Sequence, residues 1–218
     1  MKTIGLLGGM SWESTLSYYK LINEGVKEAL GGLNSAKICM YSVNFSEIEK
    51  LQHQGKWEET ASILSDAASS IEKGGADFIL ICTNTMHKVA PQIEASINIP
   101  ILHIADATAE LLREKGVQKV GLLGTQFTME QDFYKGRLSD LYGLDVITPA
   151  QDDRSIVHNI IYKELCQGEI KEESRTIYLQ IIEKEGDLER PSFKLTRPQT
   201  HTKNAPCFCM RNFIPQQT

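Results

Sequence analysis

The chain has 218 residues, 41% hydrophobic and 23% charged, a composition that suits a globular protein of one or two domains with a sizeable core. Its net charge of −5 argues against a nucleic-acid or anionic-membrane surface, while allowing a local basic site for a small acid. No apolar run approaches the roughly 18 residues of a membrane helix, the N-terminus lacks a signal-peptide pattern, and the five scattered cysteines suit reduced thiols in the cytoplasm.

Thr3 to Leu7 reads as a short apolar strand. Gly8-Gly9-Met10-Ser11-Trp12 follows as a tight loop, whose glycines either let the backbone approach a ligand or simply turn the chain into a helix. Gly-Gly-Met has neither the spacing of a dinucleotide fingerprint nor the lysine of a P-loop, so nucleotide binding is not expected. A helix over about Ser14 to Leu30 carries Leu16, Tyr19, Ile22 and Val26 at helical spacing and stops at Gly31-Gly32. Lys37 to Val43 reads as a second strand and Asn44 to Lys56 as a polar loop, in which Gln52 and His53 are either ligand contacts or solvated side chains. Trp57 to Lys73 is a helix ended by Gly74-Gly75.

Phe78-Ile79-Leu80-Ile81 is a run of bulky apolar residues, as in a buried parallel strand. Cys82 stands at its end, and Thr83-Asn84-Thr85-Met86-His87 follows. In an open α/β sheet, ligands bind beyond the carboxyl ends of the strands, where helices begin. The N–H groups of such a helix favour an anion and lower a nearby thiol's pKa. Cys82 is therefore either a reactive thiolate beside a carboxylate cradle or a buried structural cysteine followed by a helix cap. Thr83 to Ala95 is expected to be helical, limited or bent by Pro91. Ile99 to His103 reads as a short strand, and Asp106 to Lys115 as a helix closed by Gly116.

The pattern then restarts, with Lys119-Val120-Gly121-Leu122-Leu123-Gly124-Thr125 echoing Lys2 to Gly9. Helix Met129 to Tyr142, strand Leu144 to Ile147, helix Asp152 to Cys166 and a helix from near Lys171 to Lys184 complete the order. Strands alternating with helices imply an α/β fold with parallel sheets, and the echo implies two similar, doubly wound halves related by a pseudo-twofold repeat. The expected domains are residues 1–105, carrying Cys82, and 106–190. Residues 191–218 hold four of the seven prolines, four Lys or Arg and no Asp or Glu, without helical or strand periodicity. An equal spacing from Gly121 would bring a second thiol strand near Pro198, where the chain has neither an apolar strand nor a cysteine. The second half reads as lacking its completion.

Three segments together resemble the aspartate/glutamate racemase superfamily, in its broad-specificity bacterial amino-acid racemase branch. They are Gly8-Gly9-Met10-Ser11-Trp12-Glu13-Ser14, Cys82-Thr83-Asn84-Thr85-Met86-His87, and Gly124-Thr125 with Thr128-Met129-Glu130-Gln131-Asp132-Phe133-Tyr134. The resemblance spans Met1 to about Ile182 and implies a Rossmann-like, flavodoxin-like fold in each half. It implies cofactor-independent racemisation of an amino acid by two cysteines on opposite faces of Cα, in a homodimer; the residues themselves lead us to expect no metal, nucleic acid or membrane partner.

By the same resemblance Cys82 is the first catalytic cysteine, with Met10, Gln52, Thr83, Asn84, Thr85 and Thr125 as substrate-binding residues. Lys171 stands where some aspartate-specific relatives carry a site lysine, but here it reads as a solvated helix start. The family's second cysteine lies in a Gly-Cys-Thr-Glu segment that residues 185–218 do not contain, and the tail reads as out-of-frame translation or aberrant splicing. Cys207 and Cys209 are weak substitutes, and His201 with them makes a poor metal site. Cys166 and Cys39 read as packing residues. The expected activity is therefore an impaired racemase, with a non-catalytic amino-acid-binding remnant, or single-thiol chemistry such as decarboxylation, as the alternatives. Loss of the closing elements is also expected to expose apolar surface on the first domain and to reduce stability.

Overall fold

The computed structural model describes residues 1–184, so Cys207, Cys209, His201 and the expected tail lie outside the described residues. The described chain falls into two compact units, Met1–Ala107 and the residues from Thr108 onward.

The first unit is built on a parallel sheet of β1 (Thr3–Gly8), β2 (Lys37–Ser42) and β3 (Phe78–Ile81), in the order β2-β1-β3. The register pairs Gly8 with Ser42 and Leu7 with Ile81, so all three strands end at one level. The ladder runs one residue further on each side. Val43 N–H donates to Gly8 O at 3.0 Å, and Cys82 N–H donates to Leu7 O at 2.9 Å.

Helices α1 (Trp12–Leu30), α2 (Phe45–His53) and α3 (Trp57–Lys73) connect the strands. α3 buries Ala61, Leu64, Ala68 and Ile71, a stripe at helical spacing. Ile71 lies so close over Gly5 that a β-carbon there would stand 2.6 Å from its Cγ2. The core gathers Leu7, Ile48, Leu64, Ile71, Ile79, Ile81, Met86 and Ile93, all essentially without solvent exposure.

Several expectations need correction. The segment from Asn44 is helical: the Asn44 side chain accepts the Ser46 N–H at 3.3 Å and donates to Glu47 at 3.0 Å, an N-terminal cap, and α2 buries Ile48 and Gln52 four residues apart. The face of α1 is rotated, with Thr15, Tyr18 and Gly25 buried while Leu16 and Tyr19 are exposed. Ile99 to His103 contributes only a bridge between Ile101 and Ile79, because Pro100 has no N–H to extend the pairing. After Cys82 comes a 3-10 turn (Thr85–Val89) and then α4 (Ala90–Glu94), rather than one helix from Thr83. Helix α5 (Ile104–Glu114) follows.

The second unit pairs β4 (Lys119–Gly121) with β5 (Asp145–Ile147), also in parallel. Between them the expected single helix is two, α6 (Gln126–Glu130) and α7 (Asp132–Tyr142), broken at Gln131, whose ψ of 153° is extended. α8 (Gln151–Lys163) and α9 (Glu172–Lys184) follow, with Met129, Val157 and Ile181 in the core of this unit. A 3-10 turn (Leu165–Gln167) holds Cys166, which is only partly buried. Lys184 Nζ reaches both Asp153 oxygens at 2.9 and 3.0 Å, joining α9 to α8.

Gly9 has a φ of 91°, and a β-carbon there would collide with the Val43 backbone, whereas Gly55 has a φ of 70° and open space around it. Gly9→Ala is expected to cost about 2–4 kcal/mol of stability and Gly55→Ala about 1 kcal/mol, measured as urea unfolding free energies. Equal costs would show that the loop can move away from β2.

Candidate active site

Parallel strands carry their connecting loops at their carboxyl ends, so the level ends of β1, β2 and β3 bring three segments together. These are Gly9 to Ser11, Val43 with Asn44, and Cys82 to Thr85. Thr15, one turn into α1, braces the first of them. Its hydroxyl accepts the Gly9 N–H at 2.8 Å and donates to Ser11 O at 3.0 Å. Ser14, its neighbour, donates to the carbonyl of Cys82 at 2.9 Å and so ties α1 to the thiol-bearing segment. Neither role was visible in the apolar spacing of α1.

Cys82 is 0% exposed. Its Sγ lies 3.8 Å from Leu80 O, a weak S–H donor contact. Burial pushes the thiol well above its ordinary pKa. The expected depression does not occur in this conformation. The peptide dipoles that follow belong to a short 3-10 turn and a five-residue helix, and desolvation of a charged sulfur outweighs them. The resting group is a protonated thiol.

Thr83 and Asn84 are partly buried, while Thr85 and Met10 are buried. Gln52 is 3% exposed, so the solvated alternative does not hold for it. Its Nε2 lies 3.7 Å from the Met86 sulfur, which links α2 to the turn after Cys82. His53 next to it is exposed and pairs with Glu49 at 3.2 Å. Lys88 lies 3.9 Å from the ring centroid of Trp57, and partial burial lowers its pKa. Cys39 is partly buried against Gly74, where a β-carbon would collide with its sulfur.

Thr125 belongs to the second unit, where it caps α6 by accepting the Thr128 N–H at 3.3 Å. The adjacent Gln126 N–H donates to His158 Nδ1 at 3.2 Å, so a histidine from α8 braces this loop as well. Lys171 is exposed and paired with Glu169 at 3.0 Å. Among the described residues no cluster of His, Cys, Asp or Glu could hold a metal, and no helix is long and apolar enough to cross a membrane.

The site of the first unit thus offers one thiol, a tight glycine loop, and a run of hydroxyl, amide and backbone donors at one sheet end. Such an arrangement can receive a small carboxylate and exchange a proton with a carbon held over the sulfur.

Comparison with known proteins gives consistent likenesses. The family model for Asp/Glu/Hydantoin racemases matches residues 7–187. A crystal structure of a candidate Asp/Glu racemase from Yersinia pestis is 56% identical, with a TM-score of 0.78, covering 86% of this chain and 81% of that one. An aspartate racemase homologue from Pyrococcus horikoshii is 37% identical with a TM-score of 0.70, covering 85% of this chain and 82% of that one. The broad-specificity amino-acid racemase RacX of Bacillus subtilis is 27% identical over 137 residues, and the match spans 61% of this chain and 58% of RacX.

The buried thiol has a measurable consequence. The unfolded chain gives up the Cys82 proton at lower pH than the folded chain does, so stability present below roughly pH 9 falls as pH rises, by up to about 1.4 kcal/mol per pH unit. Urea unfolding of the wild type and Cys82→Ser from about pH 8 to about pH 10.5 is expected to show this loss in the wild type only. Parallel profiles would mean that the folded thiol ionises in its ordinary range.

Proposed function

The chain belongs to the Asp/Glu/Hydantoin racemase family, and from that premise we propose that it is a cofactor-independent amino-acid racemase whose Cys82 removes the Cα proton. The observation that supports the proposal is that Cys82 stands at the end of β3, its N–H bonded to Leu7 O at 2.9 Å, at the level where the Gly9–Ser11 loop leaves β1, and that Thr83, Asn84 and Thr85 follow it directly. The carboxylate of an α-amino acid would lie against Thr83, Asn84 and Thr85, with Met10 and Gln52 shaping the pocket beside them. The family resemblance adds Thr125 of the second unit to the substrate-binding residues. Charge that develops on the carboxylate as Cα loses its proton is stabilised by these donors.

A buried protonated thiol needs a reason to ionise, and the substrate supplies one. Its ammonium group sits one bond from Cα and brings a positive charge to within about 4 Å of the sulfur, which favours the thiolate. The base is therefore expected to form in the complex rather than in the free protein. Family resemblance supports a homodimer, and the scattered cysteines support a cytoplasmic location with reduced thiols.

Inversion requires a second acid on the far face of Cα, and residues 185–218 contain no Gly-Cys-Thr-Glu segment to provide a cysteine there. A single thiol that takes a proton and returns it exchanges the hydrogen without inverting the centre. This chain is therefore proposed to exchange the α-hydrogen while inverting the centre weakly or not at all. The alternative, an amino-acid-binding protein without turnover, draws support from the complete burial of Cys82.

Proton NMR of each enantiomer of glutamate, aspartate and homoserine in heavy water separates these readings. Loss of the α-proton signal with retained configuration, abolished in Cys82→Ser by about a thousandfold or more, is expected. Inversion as fast as exchange would show that a second acid is present. Ligand-induced stabilisation without exchange would favour the binding protein.

A further inference from the structure

His87 is 2% exposed, and both of its ring nitrogens contact the backbone. Nδ1 lies 2.8 Å from the carbonyl oxygen of Thr83, and the Ile104 N–H donates to Nε2 at 3.4 Å. A carbonyl oxygen can only accept and an amide N–H can only donate. Both bonds therefore exist together in one form of the ring, a neutral imidazole with its proton on Nδ1 and a lone pair on Nε2. Free histidine prefers the other tautomer, so the protein imposes this one. The His103 ring stands beside it, with centroids 4.3 Å apart, and accepts the Ala105 N–H on its own Nδ1 at 3.1 Å.

The 3-10 turn explains why the Thr83 carbonyl goes to a side chain. The His87 N–H donates to Asn84 O at 3.1 Å, where an α-helix would have directed it to Thr83 O. The imidazole of the same residue takes that carbonyl instead. In a trans peptide the C=O and the following N–H point to opposite sides. Drawing the Thr83 carbonyl toward His87 thus turns the Asn84 N–H the other way. Ser14 does the same one residue earlier, holding the Cys82 carbonyl and turning the Thr83 N–H. Two side chains from different elements grip consecutive carbonyls and set the direction of consecutive N–H groups beside the thiol.

We propose that His87, held as the Nδ1–H tautomer, is the positioning residue of the Cys82 segment: it fixes the Thr83–Asn84 peptide plane and joins that segment to the start of α5. The catalytic consequence rests on the racemase reading above, whereas the tautomer and the ordering of the segment do not.

Three measurements test it. Nitrogen-15 NMR of the imidazole near neutral pH is expected to show a protonated Nδ1 and a bare Nε2; a proton on Nε2 overturns the proposal. His87→Asn places an amide N–H where Nδ1 stands and keeps the Thr83 bond, whereas His87→Gln carries its amide out to the Nε2 position and loses that bond. Peptide-resolved hydrogen exchange over residues 82–85 is expected to rise in the Gln variant and stay near the wild-type rate in the Asn variant. Equal protection in all three proteins overturns the proposal.

For α-proton exchange, the Gln variant is expected to lose about ten- to a hundredfold in kcat with a smaller change in KM, while Asn recovers to within about threefold of the wild type. Losses that are equal in the two variants and follow only their thermal stability also overturn it. A wild-type protein without α-proton exchange removes the racemase reading, and the first two measurements then decide the role of His87.

Discussion

The parallel register of β1 with its two neighbours is the constraint on which the site depends. Pairing Gly8 with Ser42 and Leu7 with Ile81 ends the strands at one level, and two further hydrogen bonds, from Val43 and Cys82, fix the first residue of each departing loop. Slipping β3 against β1 by one residue would carry Cys82 out of line with the end of β1 and exchange the two buried faces on which the β3 side chains pack. Small residues make the close approach possible. Gly5 admits Ile71 to the sheet, and Gly9 lies against the backbone of Val43.

The thiol's electrostatics follow from the same compactness. Cys82 lies under packed loops, so the cost of desolvating a thiolate exceeds what a short turn of peptide dipoles returns. Under the proposed function, the ammonium group of the substrate would offset that cost. The polar atoms around it are organised chiefly through backbone bonds: Thr15 to Gly9 and Ser11, Ser14 to Cys82, and His87 to Thr83 and Ile104. These side chains orient peptide groups, which are the stiffest donors a protein has.

Much of this architecture was legible because it rests on strong local patterns. The apolar run Phe78 to Ile81 could only be a buried strand, and Trp57 to Lys73 kept helical spacing up to a glycine stop. Where packing competed with pattern, the reading failed. On α1 the hydroxyl of Thr15 is bound to the glycine loop, which turns Leu16 and Tyr19 outward despite their apolar spacing. The polar stretch from Asn44 resembled a loop yet starts a helix, and the signal, Asn44 followed three residues later by Glu47, was present in the chain. Gln52 looked solvated because its neighbours are polar, yet it shares the inner face of α2 with Ile48.

The amino-acid sequence by itself determined the α/β class, the strand that ends in Cys82, the glycine loop and the chemical types gathered near them, since each depends on residues close together in the chain. Only the tertiary structure decided that the thiol is buried and protonated, that Gln52 faces inward, and that Ser14 and His87 hold the carbonyls of Cys82 and Thr83. The reason is physical. Desolvation and the bonds of Ser14 with Cys82 and His87 with Ile104 are set by groups 68 and 17 residues away in the chain, and the four-residue contact of His87 with Thr83 forms only because the turn after Cys82 is 3-10 and not α-helical.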